Sequence, residues 1–341
     1  MVEQPASEGQ GPFEVTAQQD PDLGATVYLL RDRGTGSEAR VVPGMGANLV
    51  SLRVPILGEP LELLAVPDPA LSQGSIRRYG VPILFPFPNR IRDGRFTFRG
   101  REYQLDVDTS GHAIHGYVWS LPWKVEEASP APDGARLAVS VESSGHPEVT
   151  GQFPFPFRLA AAFTLRGGTI RIELEAENTG SEPMPMGLGL HPWFRLPLLP
   201  WGRREECILK VPADHQWELG SPPIPTGERV AVPFEKDFRI PRPLGALVLD
   251  DLYTGVQRSN GWSEMWFRDN AAGVQVVVRS DERFREMVIH APRSRGVICL
   301  EPYSCATDAF NLEARAFDAG MVVLEPGGRW RGEVSIEVRP V

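Results

Sequence analysis

Two segments of the chain alternate strictly between apolar and polar residues, with a period of two. Thr169–Glu177 reads Thr-Ile-Arg-Ile-Glu-Leu-Glu-Ala-Glu, and Glu333–Val338 repeats the pattern near the end of the chain. Successive side chains of a β-strand point to opposite faces of the sheet, so a strand with one buried and one wet face has this period. The pattern predicts a β-strand in each segment.

Other apolar segments predict a hairpin and further strands. Arg95–Phe98 and Arg101–Leu105 flank a dipeptide that contains glycine, and a short turn of this kind between two strand-like segments is typical of a β-hairpin. Gly273–Val278 and Glu286–His290 predict two more strands. Long segments with the period of an amphipathic helix are scarce, so the sequence favours β structure almost throughout.

Glycine and proline occur along the whole chain. The 34 glycines and 33 prolines among 341 residues indicate frequent turns. Many short strands between turns favour an antiparallel sandwich or barrel over alternating strands and helices. We therefore expect an all-β protein, built as a large antiparallel β-sandwich. Residues 1–24, rich in Gln, Pro, Asp and Gly, predict a flexible N-terminal arm, and residues 25–341 predict a single domain.

Charge and cysteine content narrow the classes of partner. The 35 Lys and Arg residues against 44 Asp and Glu give a net charge of −9. Because no basic run is present, we expect no binding to nucleic acid or to an anionic membrane, and small neutral ligands fit better. Three cysteines without CxxC spacing argue against a disulfide framework and a zinc site. Without a signal peptide or an apolar run of about 20 residues, the sequence predicts a cytoplasmic protein.

Two apolar segments each lead into one ionisable residue and then proline. Gly187–Leu190 precedes His191, and Val297–Leu300 precedes Glu301. A strand end holds a side chain rigidly at a cleft, and proline, which has no N–H, is expected to end the strand there. An imidazole and a carboxylate form a complementary general acid and base near neutral pH. His191 and Glu301 are therefore the candidate catalytic pair, and each is expected to favour the charged form of the other.

Three other polar segments are candidates for ligand binding. Asn89 and Arg90 follow two prolines, and the planar guanidinium suits vicinal hydroxyls or a carboxylate, while a structural ion pair is the alternative for Arg90. His115 precedes a glycine that permits close approach of a ligand, but a histidine in a turn is more often structural than functional. Asp250 and Asp251 lie between apolar residues. Two interpretations are open for either carboxylate: it accepts a hydrogen bond from a ligand hydroxyl, or it is solvated in a turn.

Taken together, these segments resemble one family. The shared motifs, in chain order, are Asn89-Arg90-Ile91, His115-Gly116, His191-Pro192-Trp193-Phe194, Asp250, Glu301-Pro302 and Pro326-Gly327-Gly328. Their order and spacing resemble the aldose 1-epimerase (galactose mutarotase-like) family from about residue 25 to the C-terminus. The resemblance implies a large antiparallel supersandwich and a cofactor-free enzyme that interconverts the α and β anomers of sugars.

The resemblance also implies a role for each motif residue. His191 would be the general acid that protonates the ring oxygen, and Glu301 the general base on the anomeric hydroxyl. The residues that would bind the sugar are Asn89, Arg90, His115 and Asp250. Asp250 is assigned rather than Asp251 because Asp250-Asp251-Leu252-Tyr253 matches the family's Asp-x-x-aromatic pattern, and a shift by one residue stays open.

Two positions depart from the family pattern. Tyr117 follows His115-Gly116 where galactose-type members commonly have a second glycine, and Arg195 stands where the histidine motif often continues with asparagine. Both positions touch the expected sugar pocket but leave the acid–base pair intact. The identity of the sugar therefore stays open.

Several competing functions make different demands on the chain. A hexose-6-phosphate 1-epimerase would need Arg92 or Arg95 in the cleft beside Arg90. A non-catalytic carbohydrate-binding protein would not need both His191 and Glu301, a metal-dependent isomerase would need three or four converging ligands, and a glycosidase would need two carboxylates across the bond. We expect a free aldohexose as substrate and neither metal nor nucleotide as cofactor, with monomer and homodimer both open.

Overall fold

The computed structural model describes residues 11–56, 58–66, 76–293 and 295–341. Within these ranges, antiparallel strands dominate and two short α-helices are present, so the predicted all-β class is confirmed. The strands in the first half of the chain are β1 (Phe13–Asp20), β2 (Ala25–Asp32), β3 (Ser37–Val42), β4 (Asn48–Ile56), β5 (Glu59–Glu62), β6 (Ile83–Leu84), β7 (Arg90–Ile91), β8 (Arg95–Phe98), β9 (Arg101–Gln104), β10 (Ala113–Ile114), β11 (Lys124–Ala131), β12 (Gly134–Glu142), β13 (Phe157–Arg166) and β14 (Thr169–Asn178). The strands in the second half are β15 (Met184–Met186), β16 (Gly189–Leu190), β17 (Trp193–Arg195), β18 (Ile208–Lys210), β19 (Ala213–Leu219), β20 (Pro225–Ala231), β21 (Arg242–Pro243), β22 (Leu249–Val256), β23 (Trp262–Asp269), β24 (Val274–Asp281), β25 (Glu286–Ala291), β26 (Val297–Tyr303), β27 (Val322–Leu324) and β28 (Arg329–Pro340). The helices are α1 (Pro147–Thr150) and α2 (Ala309–Ala314).

The segments predicted as strands all form strands. Thr169–Glu177 lies in β14 and Glu333–Val338 lies in β28, and these two strands pair with each other. The predicted hairpin is formed by β8 and β9. The remaining two predicted segments become β24 and β25.

Three large sheets make up most of the structure. One sheet has the strand order β1-β2-β3-β4-β5, and a nine-stranded sheet has the order β11-β12-β13-β14-β28-β24-β23-β18-β21. The third sheet has the order β20-β19-β22-β25-β26-β16-β6, with β17 also paired to β26. This third sheet carries the candidate site.

A shared core explains why the period-2 segments form these sheets. Along β14, Ile170, Ile172 and Leu174 are buried, while Arg171 and Glu173 between them are partly exposed. The buried side chains join one cluster with apolar residues from all three large sheets. Burial of each such side chain contributes about 1.5–3 kcal/mol, which fixes which face of the strand turns inward.

Strand β26 separates the core from the candidate site by the same alternation. Ile298 and Leu300 belong to the main core, whereas Cys299, Glu301 and Tyr303 occupy the opposite face. The expectation that proline ends this strand directly after Glu301 is wrong. The residue after Glu301 is Pro302, which stays paired with β25, and the strand continues to Tyr303. One missing N–H donor removes one ladder bond but does not end the pairing on either side.

The predicted N-terminal arm is also corrected. Phe13–Asp20 forms β1 and pairs along its whole length with β2, so residues 13–20 of the predicted arm are an ordered strand. Residues 1–10 lie outside the described residues. The single domain over residues 25–341 stays a prediction. Among the residues that the structure describes, no helix is both long and apolar enough to span a bilayer.

Candidate active site

A cleft of about 260 Å³ opens on the face of the third sheet that bears Glu301. Its walls come from distant parts of the chain, including β7, β22, β25, β26 and the loop between β16 and β17. All six candidate site residues line it: Asn89, Arg90, His115, His191, Asp250 and Glu301. Residues separated by more than two hundred positions in sequence are thus brought into one cleft.

A larger cleft, of about 540 Å³, lies elsewhere on the molecule. It is formed by the nine-stranded sheet and lined by charged residues such as Arg136, Glu173 and Arg331 together with several alanines. None of its lining residues in the described part of the chain is a histidine. Without a group that ordinarily titrates near neutral pH, this cleft is a poorer candidate for acid–base chemistry.

Strand register brings His191 opposite Glu301. Gly189 of β16 pairs with Tyr303, and Trp193 of β17 pairs with Cys299, so both short strands run along β26 in the same register. Continuing that register through the interruption between β16 and β17 puts His191 directly across from Glu301. Pro192, which follows His191, therefore lies between two short strands, β16 and β17, that both pair with β26.

The two side chains are in contact and almost completely buried. Nδ1 of His191 lies 3.4 Å from Oε1 of Glu301, and the residues are 7% and 1% exposed. The hydroxyl of Tyr303 donates a hydrogen bond of 2.5 Å to Oε2 of Glu301. The ring of Trp193 stacks on the imidazole of His191, with centroids 4.7 Å apart. These contacts hold both members of the pair at the floor of the cleft.

Burial sets the protonation of the pair and corrects one expectation. Burial raises the pKa of the Glu301 carboxyl well above its ordinary value, although the Tyr303 hydrogen bond works against the shift. Burial lowers the pKa of His191 well below its ordinary value, and the neighbouring imidazoles of His115 and His290 add to this. We had expected each group to favour the charged form of the other, but the cost of burying both charges is larger. Both shifts favour the uncharged forms, a neutral imidazole and a protonated carboxyl.

Asn89 and His115 are locked together by reciprocal hydrogen bonds. The backbone N–H of Asn89 donates to Nδ1 of His115 (3.2 Å), and the backbone N–H of His115 donates to the carbonyl oxygen of Asn89 (2.8 Å). Because Nδ1 accepts, the ring proton of neutral His115 is on Nε2. Burial, followed by the charges of Arg77 and Arg90, lowers the pKa of His115 to about 3. His115 is thus a neutral histidine with one fixed donor.

The structure separates Asp250 from Asp251. Asp250 lines the cleft, and its Oδ1 lies 3.1 Å from Nδ1 of His290. Burial works to raise the pKa of Asp250, but the contact with His290 and the charge of Arg90 outweigh it and hold the pKa below its ordinary value. Asp251 is buried instead against Lys236, whose Nζ donates to its Oδ1 at 2.6 Å. Of these two aspartates, Asp250 is therefore the one that a ligand in the cleft can reach.

Sequence reasoning missed several groups at the site. Arg77, Arg78 and Asp108 also line the cleft, and none of them belongs to a motif singled out in the sequence. The guanidinium of Arg77 lies over the ring of Trp119, 4.6 Å from its centroid. Tyr303 had a detectable signal, because a residue two positions after Glu301 in a strand shares its face.

The site also contains the ligand types that a metal ion would need. Ligand atoms of His191, Cys299 and Glu301 lie within 4.8 Å of one another. The thiolate is the form of cysteine that binds metals, and burial raises the pKa of the Cys299 thiol well above its ordinary value. A metal ion bound here would therefore have to displace the proton of the Cys299 thiol.

Replacement of Tyr303 by phenylalanine tests how Glu301 is positioned. The variant removes a hydrogen bond that favours the carboxylate. Because the free energy of a hydrogen bond to a charged group corresponds to a factor of about 10 or more, we expect kcat to fall about 10-fold or more. KM should change little because Tyr303 is fully buried and does not line the cleft. The alkaline limb of the pH–rate profile should move to higher pH, since the pKa of Glu301 rises further.

Tyr253→Phe is the matched control. Tyr253 is equally buried, and its hydroxyl donates to the carbonyl oxygen of Lys236 (3.1 Å), away from Glu301. The control should keep kcat and the pH profile unchanged, as judged by turnover measured over a range of pH. Equal losses in both variants would mean that Tyr303 acts only through packing.

This fold and cleft are those of a mutarotase-like β-sandwich protein. Residues 27–337 match the sequence model of the aldose 1-epimerase family, and the chain belongs to that family. Membership makes the protein a carbohydrate epimerase of the mutarotase type, acting on sugars.

Two individual relatives show the extent of the similarity. The chain is 29% identical to the protein YphB of Escherichia coli (strain K12) over 265 residues, which covers 75% of this chain and 82% of that protein. It is 26% identical to the galactose mutarotase of Bos taurus over 161 residues, covering 46% of this chain and 44% of that enzyme.

Solved structures share the fold. A galactose mutarotase-like protein from Clostridium acetobutylicum superposes with a TM-score of 0.86 at 22% identity, covering 97% of this chain and 99% of that chain. The galactose 1-epimerase of Lactobacillus acidophilus NCFM gives a TM-score of 0.76 at 15% identity, covering 96% and 98%. The predicted supersandwich architecture is thereby confirmed.

Proposed function

We propose that the protein is an aldose 1-epimerase that interconverts the α and β anomers of a free aldohexose, with His191 as general acid and Glu301 as general base. The observation that carries the proposal is the contact between these two buried groups at the floor of the cleft. A protein that only binds sugar has no use for a buried imidazole–carboxyl pair, whose burial costs free energy of folding.

The reaction uses both positions of the single proton on the pair. For ring opening, the proton moves from Glu301 to His191, which creates a carboxylate and an imidazolium together. Glu301 then removes the proton from the anomeric hydroxyl while His191 protonates the ring oxygen, so the C1–O5 bond breaks and C1=O1 forms. The open aldehyde rotates about C1–C2, and the two groups act in reverse to close the other anomer.

The other cleft residues would hold the sugar ring during this exchange. Arg90 and the Nε2–H of His115 supply donors to ring hydroxyls, and the ionised carboxylate of Asp250 accepts from them. The side-chain oxygen of Asn89 accepts a hydrogen bond of 3.1 Å from Arg90 and so directs the guanidinium. Directed donors and acceptors keep the reacting atoms in line with the acid and the base.

The hexose-6-phosphate alternative loses the residues on which it depended. Arg92 is close to Asp308, at 3.9 Å, and Arg95 hydrogen-bonds to Gln104 on the neighbouring strand. Neither arginine is among the cleft residues. This supports an unphosphorylated ring as the substrate.

Saturation-transfer NMR tests the proposed function directly. Exchange between anomers of glucose, galactose and pentoses would be measured with and without the protein, after subtraction of the spontaneous rate. We expect catalysed exchange of at least one free aldohexose. If no sugar exchanges faster than its spontaneous rate, the proposed activity is wrong.

The pH dependence should reveal the shared proton. The cationic form of His191 is reached only well below the ordinary histidine pKa of about 6.5, and Glu301 loses its proton only well above the ordinary carboxyl value. Between these limits the pair keeps one proton, so we expect kcat/KM to stay flat through the ordinary histidine pKa of about 6.5. An inflection close to the ordinary histidine value would contradict this, because it would mean that His191 titrates as an exposed imidazole.

A further inference from the structure

The ring nitrogen Nδ1 of His191 is buried but has no hydrogen-bond partner. Within the part of the chain that the structure describes, no group lies in hydrogen-bonding geometry to it, and Oε1 of Glu301 is near it at 3.4 Å without meeting that geometry. A buried polar atom without a partner costs free energy of folding and is uncommon in native proteins. Stacking on Trp193 holds the plane of the ring. His191 therefore presents an unused nitrogen at a defined point beside Glu301.

Cys299 lies close to this nitrogen, on the same face of β26 as Glu301. Ligand atoms of His191, Cys299 and Glu301 all lie within 4.8 Å of one another, and all three residues are more than nine-tenths buried. The proposed reaction gives the thiol of Cys299 no task. An imidazole, a thiol and a carboxyl group are, however, the side-chain groups that bind zinc in proteins. The orphan nitrogen thus belongs to a complete set of three zinc ligands.

The spacing of the three groups suits an ion with short bonds. Bonds of about 2.0–2.3 Å in a tetrahedral zinc site place neighbouring ligand atoms about 3.4–3.6 Å apart. Nδ1 of His191 and Oε1 of Glu301 already have this separation, at 3.4 Å. The sulfur of Cys299 would have to approach by no more than about 1.2 Å, which a rotation about its Cα–Cβ bond can supply.

The charges of the ligands select a divalent, fairly soft ion. Cysteine and glutamate bind metals in their deprotonated forms, so an ion would displace the protons of Cys299 and Glu301. The resulting thiolate and carboxylate would neutralise a divalent cation, which avoids a buried net charge. Mg²⁺ prefers oxygen ligands, whereas sulfur and imidazole nitrogen favour ions such as Zn²⁺.

We propose that His191, Cys299 and Glu301 form a binding site for Zn²⁺ and that the bound ion inhibits the protein. The inhibition rests on the proposed epimerase function, because the ion would engage the general acid and the general base together. A carboxylate of Glu301 bound to zinc cannot accept the anomeric proton. The ion reaches the site through the cleft, which His191 and Glu301 line, and water takes the fourth position of the tetrahedron.

Absorption by bound cobalt tests the site without any measurement of turnover. Co²⁺ substitutes for Zn²⁺ in tetrahedral sites, and a thiolate bound to it absorbs in the near ultraviolet by charge transfer. We expect this band when Co²⁺ is added to the full chain, and its loss when an equal amount of Zn²⁺ follows. A protein that shows no such band, or whose band survives excess zinc, would overturn the proposed site.

Cys299→Ser identifies the sulfur ligand. The band should be absent in this variant, and its zinc affinity, measured by calorimetry, should fall about 10²-fold or more, since even partners outside the ligand shell contribute about 10–100-fold. Cys207→Ser is the matched control, because Cys207 is also a buried free cysteine but lies outside the cluster. The control should keep the band and the affinity. A band that persists in Cys299→Ser, or that is lost equally in both variants, would count against Cys299 as the ligand.

Anomer exchange with and without Zn²⁺ tests the inhibition. We expect saturating zinc to lower the catalysed rate about 10-fold or more and EDTA to restore it, because the base is then free again. Mg²⁺ at the same concentration should have no effect. Relative to its own rate without metal, Cys299→Ser should need about 10²-fold more zinc for the same inhibition, and Cys207→Ser should behave as the unchanged chain. Faster exchange with zinc, or equal inhibition of Cys299→Ser, would show that the ion does not inhibit through this site.

The metal site and the epimerase function can fail separately. If no sugar exchanges faster than its spontaneous rate, the proposed reaction is wrong, and the cobalt band with its loss in Cys299→Ser still decides the metal site. If exchange is catalysed but neither Co²⁺ nor Zn²⁺ binds, the reaction stands and the metal site is wrong.

Discussion

Glu301→Gln should lower kcat by about 10²-fold or more, because an amide cannot accept the anomeric proton. The substitution keeps the shape of the side chain, and the amide oxygen can still accept the hydrogen bond from Tyr303. Folding and sugar affinity should therefore change much less than turnover. The measurement is anomer exchange by saturation-transfer NMR, expressed as the rate above the spontaneous reaction. Near-normal turnover in this variant would rule out Glu301 as the base.

Glu286→Gln provides a closely matched control. Glu286 is also a buried carboxyl, 1% exposed, on the strand next to Glu301, and it accepts hydrogen bonds from Trp217 and Thr254. Burial raises the pKa of Glu286 to about 7, so both substitutions remove a strongly shifted carboxyl. Because Glu286 does not line the cleft, its variant should keep kcat. A comparable loss there would mean that any change in this buried layer impairs turnover.

The β class could be predicted because burial leaves a direct trace in the sequence. Where one face of a strand meets the core and the other meets water, as in Thr169–Asn178, the alternation is visible without a structure. Such segments fixed their own register, since a shift by one residue would turn every apolar side chain outward. No comparable pattern in the sequence predicts which distant strands pair with each other, such as β14 with β28.

The two errors in the fold have the same origin. Local rules treated Pro302 as the end of a strand and the polar N-terminal segment as a loose arm. In the structure, pairing with neighbouring strands overrides both signals, because Pro302 is held between paired residues and Phe13–Asp20 adds to the edge of a sheet. Propensity is a weak guide where a partner strand supplies the missing hydrogen bonds.

The candidate site was predictable only where residues form recognisable motifs. His191 and Glu301 stand out as single ionisable residues in apolar segments, and the structure brings them into contact. Arg77 and Arg78 belong to no pattern of this kind, and only the folded chain brings them to the cleft. The full set of residues that line the cleft could therefore not be inferred from the motifs.

The protonation of the pair was also beyond the sequence. Two opposite charges side by side suggest mutual stabilisation, and that is correct when solvent can reach them. At 7% and 1% exposure, the desolvation of His191 and Glu301 outweighs their attraction, so the neutral forms prevail. The extent of burial, which no local pattern in the sequence reports, decides whether the charged or the neutral forms of the two groups prevail.

His191→Asn should lower kcat by about 10²-fold or more, because the ring oxygen then lacks its proton donor. The amide is polar and smaller than the imidazole, so the stacking contact with Trp193 is lost as well. His215→Asn is the control, since this histidine is half-exposed and pairs with Asp214 outside the cleft. Exchange measurements on both variants should assign the loss to His191 alone. Turnover that survives in His191→Asn would require another acid for the ring oxygen.

The double variant of His191→Asn and Glu301→Gln tests whether the two groups act as one unit. One proton serves both residues, so removing either partner already disables the transfer in both directions. We therefore expect the double variant to lie within about 10-fold of each single variant, far from the product of the two losses. Exchange rates at high protein concentration, compared across the four proteins, give this coupling directly. Fully multiplicative losses, about 10⁴-fold in total, would mean that His191 and Glu301 act independently and that no proton is shared between them.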